Sequence, residues 1–248
     1  MVKGLDTFRR YFADYEEQYV LIGGAACDIL FESNEVNFRA TRDLDMVLIV
    51  EALTPKFGEK FWKFIVDGKY RNKATNGSNP QFYRFDKPED DNFPKMIELF
   101  CRSDFKLKDA KGITPIHIDD EVSSLSAILL NDDYYKALLN GKEVRKGLSV
   151  LRPEYIILFK AKAYLDLKRQ KDLGEKVDSS DIKKHKKDVL RIASELMLEK
   201  VEELPIAVDA DIHSFIDLLE QEPFDQNSLK RFGLKNEDVV EVLKQVFG

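Results

Sequence analysis

Two aspartates separated by a single residue are the side chains in this sequence whose spacing most clearly suggests chemistry. Asp43 and Asp45 begin an apolar run that continues to Val50. Because side chains alternate along a β-strand, the two carboxylates should point to one face of it. Their mutual repulsion requires a cation, and Mg²⁺ is suitable because it prefers oxygen ligands and keeps positions open for phosphate oxygens. Taken alone, an Asp-x-Asp pattern is also common in turns.

A pair of glycines upstream of the aspartates predicts a place where a phosphate could approach the backbone. Gly23 and Gly24 end a short apolar run that is typical of a buried strand, and residues 25–31 favour a helix. The first amides of such a helix can donate to a phosphate. Arg39 and Arg42 add positive charge nearby. A Gly-Gly pair alone indicates only a turn, and the sequence has no Walker or dinucleotide-binding loop.

A third acid interrupts the apolar strand predicted over residues 95–101. Burying the single carboxylate of Glu98 would be expensive, so we expect it to have a cation as its partner. Together with Asp43 and Asp45 it would complete the carboxylate set of a two-metal site for phosphoryl or nucleotidyl transfer. The alternative is that Glu98 faces water from an edge strand.

Strands and helices must position these acids, and the hydrophobic pattern predicts both in the first 150 residues. Strands are predicted at 19–22, 43–50, 81–85, 95–101, 113–118 and 126–130, with helices at 25–31 and 57–66. Later residues favour helices only, at about 154–173, 182–200, 211–221 and 236–247. The predicted fold class is α+β with an α/β-like front half. The predicted domains are a catalytic domain over 1–150 and a helical domain over 151–248.

Residues 22–24 (Ile-Gly-Gly) followed by residues 43–46 (Asp-Leu-Asp-Met) resemble the signature of the polymerase-beta-type nucleotidyltransferase superfamily. The Arg-x-Thr-x-Asp-x-Asp context over 39–45 is similar to the AbiEii-like branch, the nucleotidyltransferase toxins of type IV toxin–antitoxin systems. The resemblance implies a nucleotidyltransferase mixed β-sheet with flanking helices. The residues that it implies at the NTP are Gly23, Gly24, Arg39 and Thr41, with Asp43, Asp45 and Glu98 at two Mg²⁺ ions.

The resemblance extends into the helical half and covers residues 19–193. It implies an active-site lysine, assigned to Lys162, and an acidic residue on the next helix, assigned to Asp188. Where relatives often have Arg-Asp, this chain has Lys184 and His185. An ammonium group on a rigid helix is a suitable partner for a triphosphate, so Lys162 is expected to bind the nucleotide as well as to assist catalysis.

The charge of the chain is unevenly distributed. Residues 160–191 contain 11 Lys and Arg against 6 Asp and Glu, in a chain whose formal net charge is −6. This basic stripe could face a nucleotide and a tRNA-like acceptor, although most of its lysines are expected only to solvate exposed helices. The acidic total excludes a non-specific nucleic-acid coat.

The cysteine content and the apolar runs predict the cellular compartment of the protein. The 248 residues contain two cysteines, Cys27 and Cys101, both in apolar contexts without metal-ligand spacing, so two core thiols in a reducing cytoplasm are expected. No apolar run approaches the roughly 20 residues needed to cross a bilayer, and no signal peptide is evident. A cytoplasmic protein without a membrane partner is therefore predicted.

These observations predict a Mg²⁺-dependent nucleotidyltransferase that moves NMP from an NTP to an acceptor hydroxyl. A toxin-like enzyme would modify tRNA or a protein and would have a cognate antitoxin as a partner. A small hydroxylated molecule such as an antibiotic is an alternative acceptor. From a different class, the chain could be a catalytically silent module that keeps the fold to bind a nucleotide or another protein.

Overall fold

The structure, a computed structural model, describes residues 3–33, 43–72, 82–101 and 131–248. Three predicted features lie outside the described residues. They are the positions Arg39, Thr41 and Arg42 and the strands predicted at 113–118 and 126–130.

Seven strands form one sheet of mixed direction. They are β1 (Tyr19–Leu21), β2 (Asp43–Leu48), β3 (Arg71–Asn72), β4 (Phe82–Asp86), β5 (Met96–Cys101), β6 (Lys142–Arg145) and β7 (Leu148–Leu151). Their order across the sheet is β3-β4-β5-β2-β1-β7-β6. Strand β2 runs parallel to β5 and antiparallel to β1, and β4 runs antiparallel to β5. Strands β2 and β5, which carry the predicted acids, are therefore interior strands.

The α-helices of the described residues precede, connect and follow these strands. They are α1 (Leu5–Phe12), α2 (Gly23–Ser33), α3 (Pro55–Asp67), α4 (Asp132–Asn140), α5 (Pro153–Asp172), α6 (Ser179–Glu195), α7 (Ile206–Gln221), α8 (Gln226–Phe232) and α9 (Asn236–Phe247). Pro153 occupies the first turn of α5, as its sequence context predicts. The Asp178 side chain caps α6 by accepting a hydrogen bond from the Ser180 amide at 2.8 Å.

One face of the sheet is packed with aromatic and aliphatic side chains. Leu44, Ile97 and Phe85 are opposite one another on β2, β5 and β4, and all three are buried. The Phe85 ring lies edge-on to Phe61 and Trp62 of α3, with ring centroids 5.5 and 5.9 Å apart. Because side chains alternate along each strand, the other face of the sheet carries Arg84 of β4, Asp45 of β2 and Glu98 of β5.

Helix α5 is the central helix of the later residues. Its four consecutive residues 156–159 are all buried, which is the pattern of a helix surrounded by other elements. It packs against α6 and α7, and α9 packs against α7. These contacts bury the apolar faces of helices that the sequence periodicity predicts.

The described residues form two compact units. The first contains residues 3–101 and the hairpin Lys142–Leu151, and the second contains α4 and Arg152–Gly248. The first unit combines strands and helices and the second is helical, so the predicted α+β class is confirmed. Within the described residues, no helix is long and apolar enough to span a membrane.

Candidate functional site

Asp43 and Asp45 lie on one face of strand β2, as side-chain alternation predicts. Leu44 and Met46 are fully buried on the opposite face, whereas both aspartates are partly exposed. The alternative of a turn is wrong, because the six residues Asp43–Leu48 are all strand. The site therefore begins with two accessible carboxylates on a rigid interior strand.

Gly23 provides room for one of these carboxylates. Helix α2 begins at Gly23, which has a φ of +60°, a backbone conformation that favours glycine. A Cβ atom at this position would collide with Oδ2 of Asp45. The backbone amide of Ile22 also donates a hydrogen bond to the carbonyl of Asp45 at 3.0 Å. The Asp45 carboxylate thus lies beside the positive end of the α2 dipole, where negative charge is stabilised.

Gly24 is the second residue of α2 and is buried. The predicted contact of Gly23 and Gly24 with an NTP stays a prediction. What the structure adds is that the space beside Gly23 is filled by the Asp45 side chain.

Glu98 has the cation partner that its buried position predicts, and that partner is Arg84. Arg84 lies directly opposite Glu98 on the neighbouring strand β4. Its Nε and Nη2 atoms donate to the same oxygen, Oε1 of Glu98, at 2.8 and 2.5 Å. Glu98 is 6% exposed and its strand is interior, so the alternative of an edge strand facing water is wrong.

Glu98 also lies next to the aspartate pair. It lies directly opposite Asp45 in the parallel pairing of β2 and β5, so the two side chains are neighbours on one face of the sheet. The pKa of Glu98 is raised above its ordinary value, chiefly by burial and also by the charge of Asp43. The Arg84 guanidinium and the Asp45 side chain act in the opposite direction and only partly offset this rise.

The donor set fits a magnesium ion through two carboxylates rather than three. Among the residues that the structure describes, no group of three or more His, Cys, Asp or Glu side chains is arranged to hold a metal ion. Mg²⁺ is usually bound through one or two protein carboxylates, together with water and substrate phosphates. Asp43 and Asp45 meet this requirement. The role of Glu98 as a third ligand stays a prediction; Arg84 donates hydrogen bonds to it, and Asp45 lies opposite it on β2.

Lys162 belongs to the second unit, where it joins a network of ion pairs. Its Nζ atom lies 3.2 Å from Oδ1 of Asp166 and 3.2 Å from Oδ2 of Asp211. The Tyr134 hydroxyl donates to the same Oδ2 of Asp211 at 3.0 Å, and Lys162 lies 5.9 Å from the centroid of that tyrosine ring. The network connects α4, α5 and α7, so Lys162 has a structural role, and its role at the nucleotide stays a prediction.

Asp188 is also engaged within the second unit. Its carboxylate lies 3.1 Å from Nζ of Lys160, and only 4% and 12% of the two side chains is exposed. His185, one turn earlier on α6, is buried as well. The structure therefore pairs the predicted Asp188 with Lys160, and it places Lys162 against other acids.

Lys160 is the residue that the sequence analysis missed, and a signal for it exists. Its neighbours three and four positions away on α5 are all apolar or aromatic and all buried; they are Ile156, Ile157, Ala163 and Tyr164. A lysine on such a helix face must place its ammonium in the interior, where it needs an acid. The equivalent signal for Lys162 is Asp166, four residues later on the same helix.

Much of the basic stripe over residues 160–191 is neutralised by neighbouring groups. Lys168 pairs with Glu222 at 2.6 Å, and Arg191 pairs with Glu195 at 2.8 Å. Lys186 donates to the backbone carbonyls of Glu222 and Pro223, and burial lowers its pKa. The expectation that most of these lysines serve the helices rather than a ligand agrees with these contacts.

Comparisons with known proteins found no match by sequence and a structural neighbour of low similarity. No family model matches the sequence, and no curated protein matches it. The structure is similar to the crystal structure of an antigenic nucleotidyltransferase-like protein from Paracoccidioides brasiliensis, with 13% identity and a TM-score of 0.45. The similarity covers 99% of this chain and 95% of that one. Similarity at this level does not establish a shared fold, so the AbiEii-like assignment stays a prediction.

Proposed function

We propose that this protein is a Mg²⁺-dependent nucleotidyltransferase that moves NMP from an NTP to an acceptor hydroxyl. The observation that carries the proposal is the pair of partly exposed carboxylates, Asp43 and Asp45, on one face of an interior strand. The N-terminus of α2 lies beside the second of them. Two acids that can hold a cation, next to helix amides that can hold an anion, are a combination suited to a metal-bound triphosphate.

Each group has a defined task in this proposal. Asp43 and Asp45 would hold Mg²⁺, which when bound stabilises negative charge on phosphate oxygens as a Lewis acid. The amides of the first turn of α2 donate hydrogen bonds to the phosphates, and the helix dipole favours their charge. Arg84 compensates the charge of Glu98, so that the buried acid does not add to the repulsion between the two aspartates.

The acceptor is proposed on the resemblance alone. A toxin-like enzyme would modify a hydroxyl group of tRNA or of a protein and would be held inactive by a cognate antitoxin. Arg39, Thr41, Lys162 and Asp188 belong to this proposal because they match the pattern of the AbiEii-like branch. A small hydroxylated molecule is the alternative acceptor.

A catalytically silent binding module is the second candidate, and one observation favours it. Lys162 and Asp188, the two active-site residues proposed from the helical half, are engaged with charged partners within their own unit. A protein that had kept its fold and lost transfer would retain such structural ion pairs. The presence of both Asp43 and Asp45 argues for an active enzyme.

A labelling assay distinguishes these possibilities. The purified full chain is incubated with each α-³²P-labelled NTP, Mg²⁺ and total tRNA, and the products are separated on a denaturing gel. Label on tRNA supports a toxin-like enzyme, and label on protein supports a protein-modifying one. If no label is transferred in the presence of tRNA, of protein or of a panel of small hydroxylated molecules, the enzyme proposal is wrong.

Asp45→Asn tests the assignment of the acids. Transfer should fall by more than about 100-fold, since even residues that only support metal ligands cost about 10–100-fold when they are removed. Asp14→Asn is the matched control, because Asp14 is an exposed acid of the same unit. Circular dichroism melting curves establish that both variants are folded. Full activity of the Asp45→Asn variant would contradict the assignment.

A further inference from the structure

Three neighbouring strands place three charged side chains in one row across the sheet. Arg84 of β4 lies opposite Glu98 of β5, and Glu98 lies opposite Asp45 of β2. Residues directly opposite each other project to the same face. The row therefore leads from a guanidinium, through a buried carboxyl group, to one of the two acids of the candidate site.

We propose that Arg84 is a positioning residue for this site, acting through Glu98 to fix the orientation of the Asp45 carboxylate. The inference rests on the proposed function, because it concerns how the residues proposed to hold the metal are oriented. It assigns Glu98 to the support of Asp45 rather than to direct metal binding.

The contacts of Glu98 support this assignment. The Nε and Nη2 atoms of Arg84 converge on one oxygen, Oε1, which restrains the position of that oxygen. The planar guanidinium makes both contacts at once, which the single ammonium group of a lysine cannot reproduce. Glu98 in turn lies directly opposite Asp45 on the same face of the sheet.

Asp45 is restrained by more than Glu98. Oδ2 of Asp45 lies against Gly23, where no Cβ atom would fit, and its backbone carbonyl accepts the amide of Ile22. The backbone and one oxygen of Asp45 are thus fixed by the start of α2. The Glu98 side chain, directly opposite on β5, adds a further restraint on its carboxylate.

Removing Arg84 would disturb this row in a predictable way. Glu98 is 6% exposed and lies near two other acids, so without the guanidinium its charge would be buried and uncompensated. The Glu98 side chain would then leave its position, and Asp45 would lose its support. A residue that orients a metal ligand typically contributes about 10–100-fold to metal affinity or activity.

The test measures Mn²⁺ affinity by electron paramagnetic resonance in the presence of a non-hydrolysable NTP analogue, together with kcat and KM for NMP transfer. Arg84→Met, Arg84→Lys and Glu98→Gln are compared with wild type. Arg84→Met and Glu98→Gln should each weaken Mn²⁺ binding by about 10–100-fold, with a small change in the KM for the acceptor. Arg84→Lys should be affected nearly as much, because it keeps the charge but loses the double contact.

Arg71→Met is the matched control. Arg71 is an exposed arginine of β3 that lies opposite Asp86, and it therefore shares the face of the sheet that carries Arg84. Its substitution should leave Mn²⁺ affinity and kcat unchanged.

The double variant Arg84→Met/Glu98→Gln separates positioning from a general effect on the fold. Because it removes the cation and the anion together, it avoids the uncompensated buried charge. If Arg84 acts through Glu98, the double variant should bind Mn²⁺ no more weakly than Glu98→Gln alone.

Two results would overturn the inference alone: unchanged Mn²⁺ affinity in folded Arg84→Met, or effects of the two substitutions that add in the double variant. Failure of the wild-type protein to bind Mn²⁺ with the analogue would overturn the proposed function and this inference with it.

Discussion

The two units of this protein treat charged side chains in opposite ways. In the first, Asp43, Asp45 and Glu98 share one face of an interior part of the sheet, with Arg84 as the cation in contact with Glu98. In the second, the buried side chains of Lys160 and Asp188 form an ion pair of opposite charges. Gathering like charges costs stability and pairing opposite charges limits that cost. Under the proposed function, the first arrangement serves a ligand and the second serves the fold.

Substitutions in the two arrangements of charge should have different consequences. Substitutions in the acid row should lower metal binding or transfer more than they lower stability. Substitutions in the ion pairs of the helices should do the reverse.

The buried pair of the helical unit should give the largest effect on stability. Lys160→Met leaves the Asp188 carboxylate buried without its ammonium partner, so the free energy of unfolding in urea should fall by about 3–5 kcal/mol. Lys160→Met/Asp188→Leu should regain most of that loss, because no charge is then left unpaired. Lys168→Met is the control, since 44% of the side chain of its partner Glu222 is exposed and such a pair contributes little.

The Asp188→Asn variant provides the result that would contradict a purely structural role for the Lys160–Asp188 pair. If that variant loses NMP transfer while its unfolding free energy stays within about 1 kcal/mol of wild type, Asp188 is an active-site residue as the resemblance implies. The contrast between the two units would then be wrong at that position.

Lys162→Met should have the next largest effect. It leaves Asp166 and Asp211, each about one quarter exposed or less, without their shared cation. The expected loss is about 1.5–3 kcal/mol of unfolding free energy, as for hydrogen bonds to charged groups. The exposed Lys136 of α4 provides a control substitution, Lys136→Met. An increase in the KM for NTP with unchanged stability would instead support the predicted role in nucleotide binding.

Gly23→Ala tests the first unit at a smaller cost in stability. A residue other than glycine in the left-handed region costs about 1–2 kcal/mol. In addition, the new methyl group would displace the Asp45 carboxylate, so transfer should fall by at least about 10-fold. Gly147→Ala is a close control, because Gly147 also has a positive φ and its Cβ would lie 3.9 Å from Arg9. The control should lose similar stability and keep its activity.

Glu154→Gln should change the free energy of unfolding least among these variants, and the size of the change should depend on pH. Glu154 is 2% exposed, and its Oε1 atom accepts the backbone amide of Glu199 at 2.6 Å. Burial raises the pKa of Glu154 above its usual value of 4.5, so the folded state holds the proton more tightly than the unfolded state. The stability that this proton contributes is full below pH 4.5 and is lost as the pH rises through the folded-state pKa.

The glutamine variant should therefore gain stability relative to wild type between about pH 4.5 and neutral pH. The gain should increase as the pH rises from 4.5 and level off above the folded-state pKa of Glu154. Urea unfolding at a series of pH values measures it. A difference between the two proteins that does not change with pH would contradict the assignment.

The sequence predicts those parts of the site that depend on local rules. The alternation of side chains places Asp43 and Asp45 on one face of a strand, and the cost of burying a lone carboxylate predicts a cation for Glu98. Neither rule identifies Arg84. Arg84 is in contact because β4 pairs with β5 in a particular register, and that register depends on packing over the whole sheet.

The helical half shows the same limit. The start of α5 at Pro153 follows from its capping context, whereas α6 ends at Glu195 rather than near residue 200 and α8 has no predicted counterpart. The sequence also does not decide whether Lys160 or Lys162 is the partner of Asp188, because that depends on how α5 and α6 rotate against each other. The apolar neighbours of Lys160 indicate that it is buried, but they do not identify the acid that it meets.

The contact between Arg84 and Glu98 also affects whether the sheet needs a metal ion in order to fold. The Arg84 guanidinium supplies positive charge to the acid row from within the sheet, so we expect the sheet to fold without a divalent cation. Under the proposed function, a chelating agent should abolish transfer while leaving the melting temperature unchanged, and added Mg²⁺ should restore activity without a refolding step.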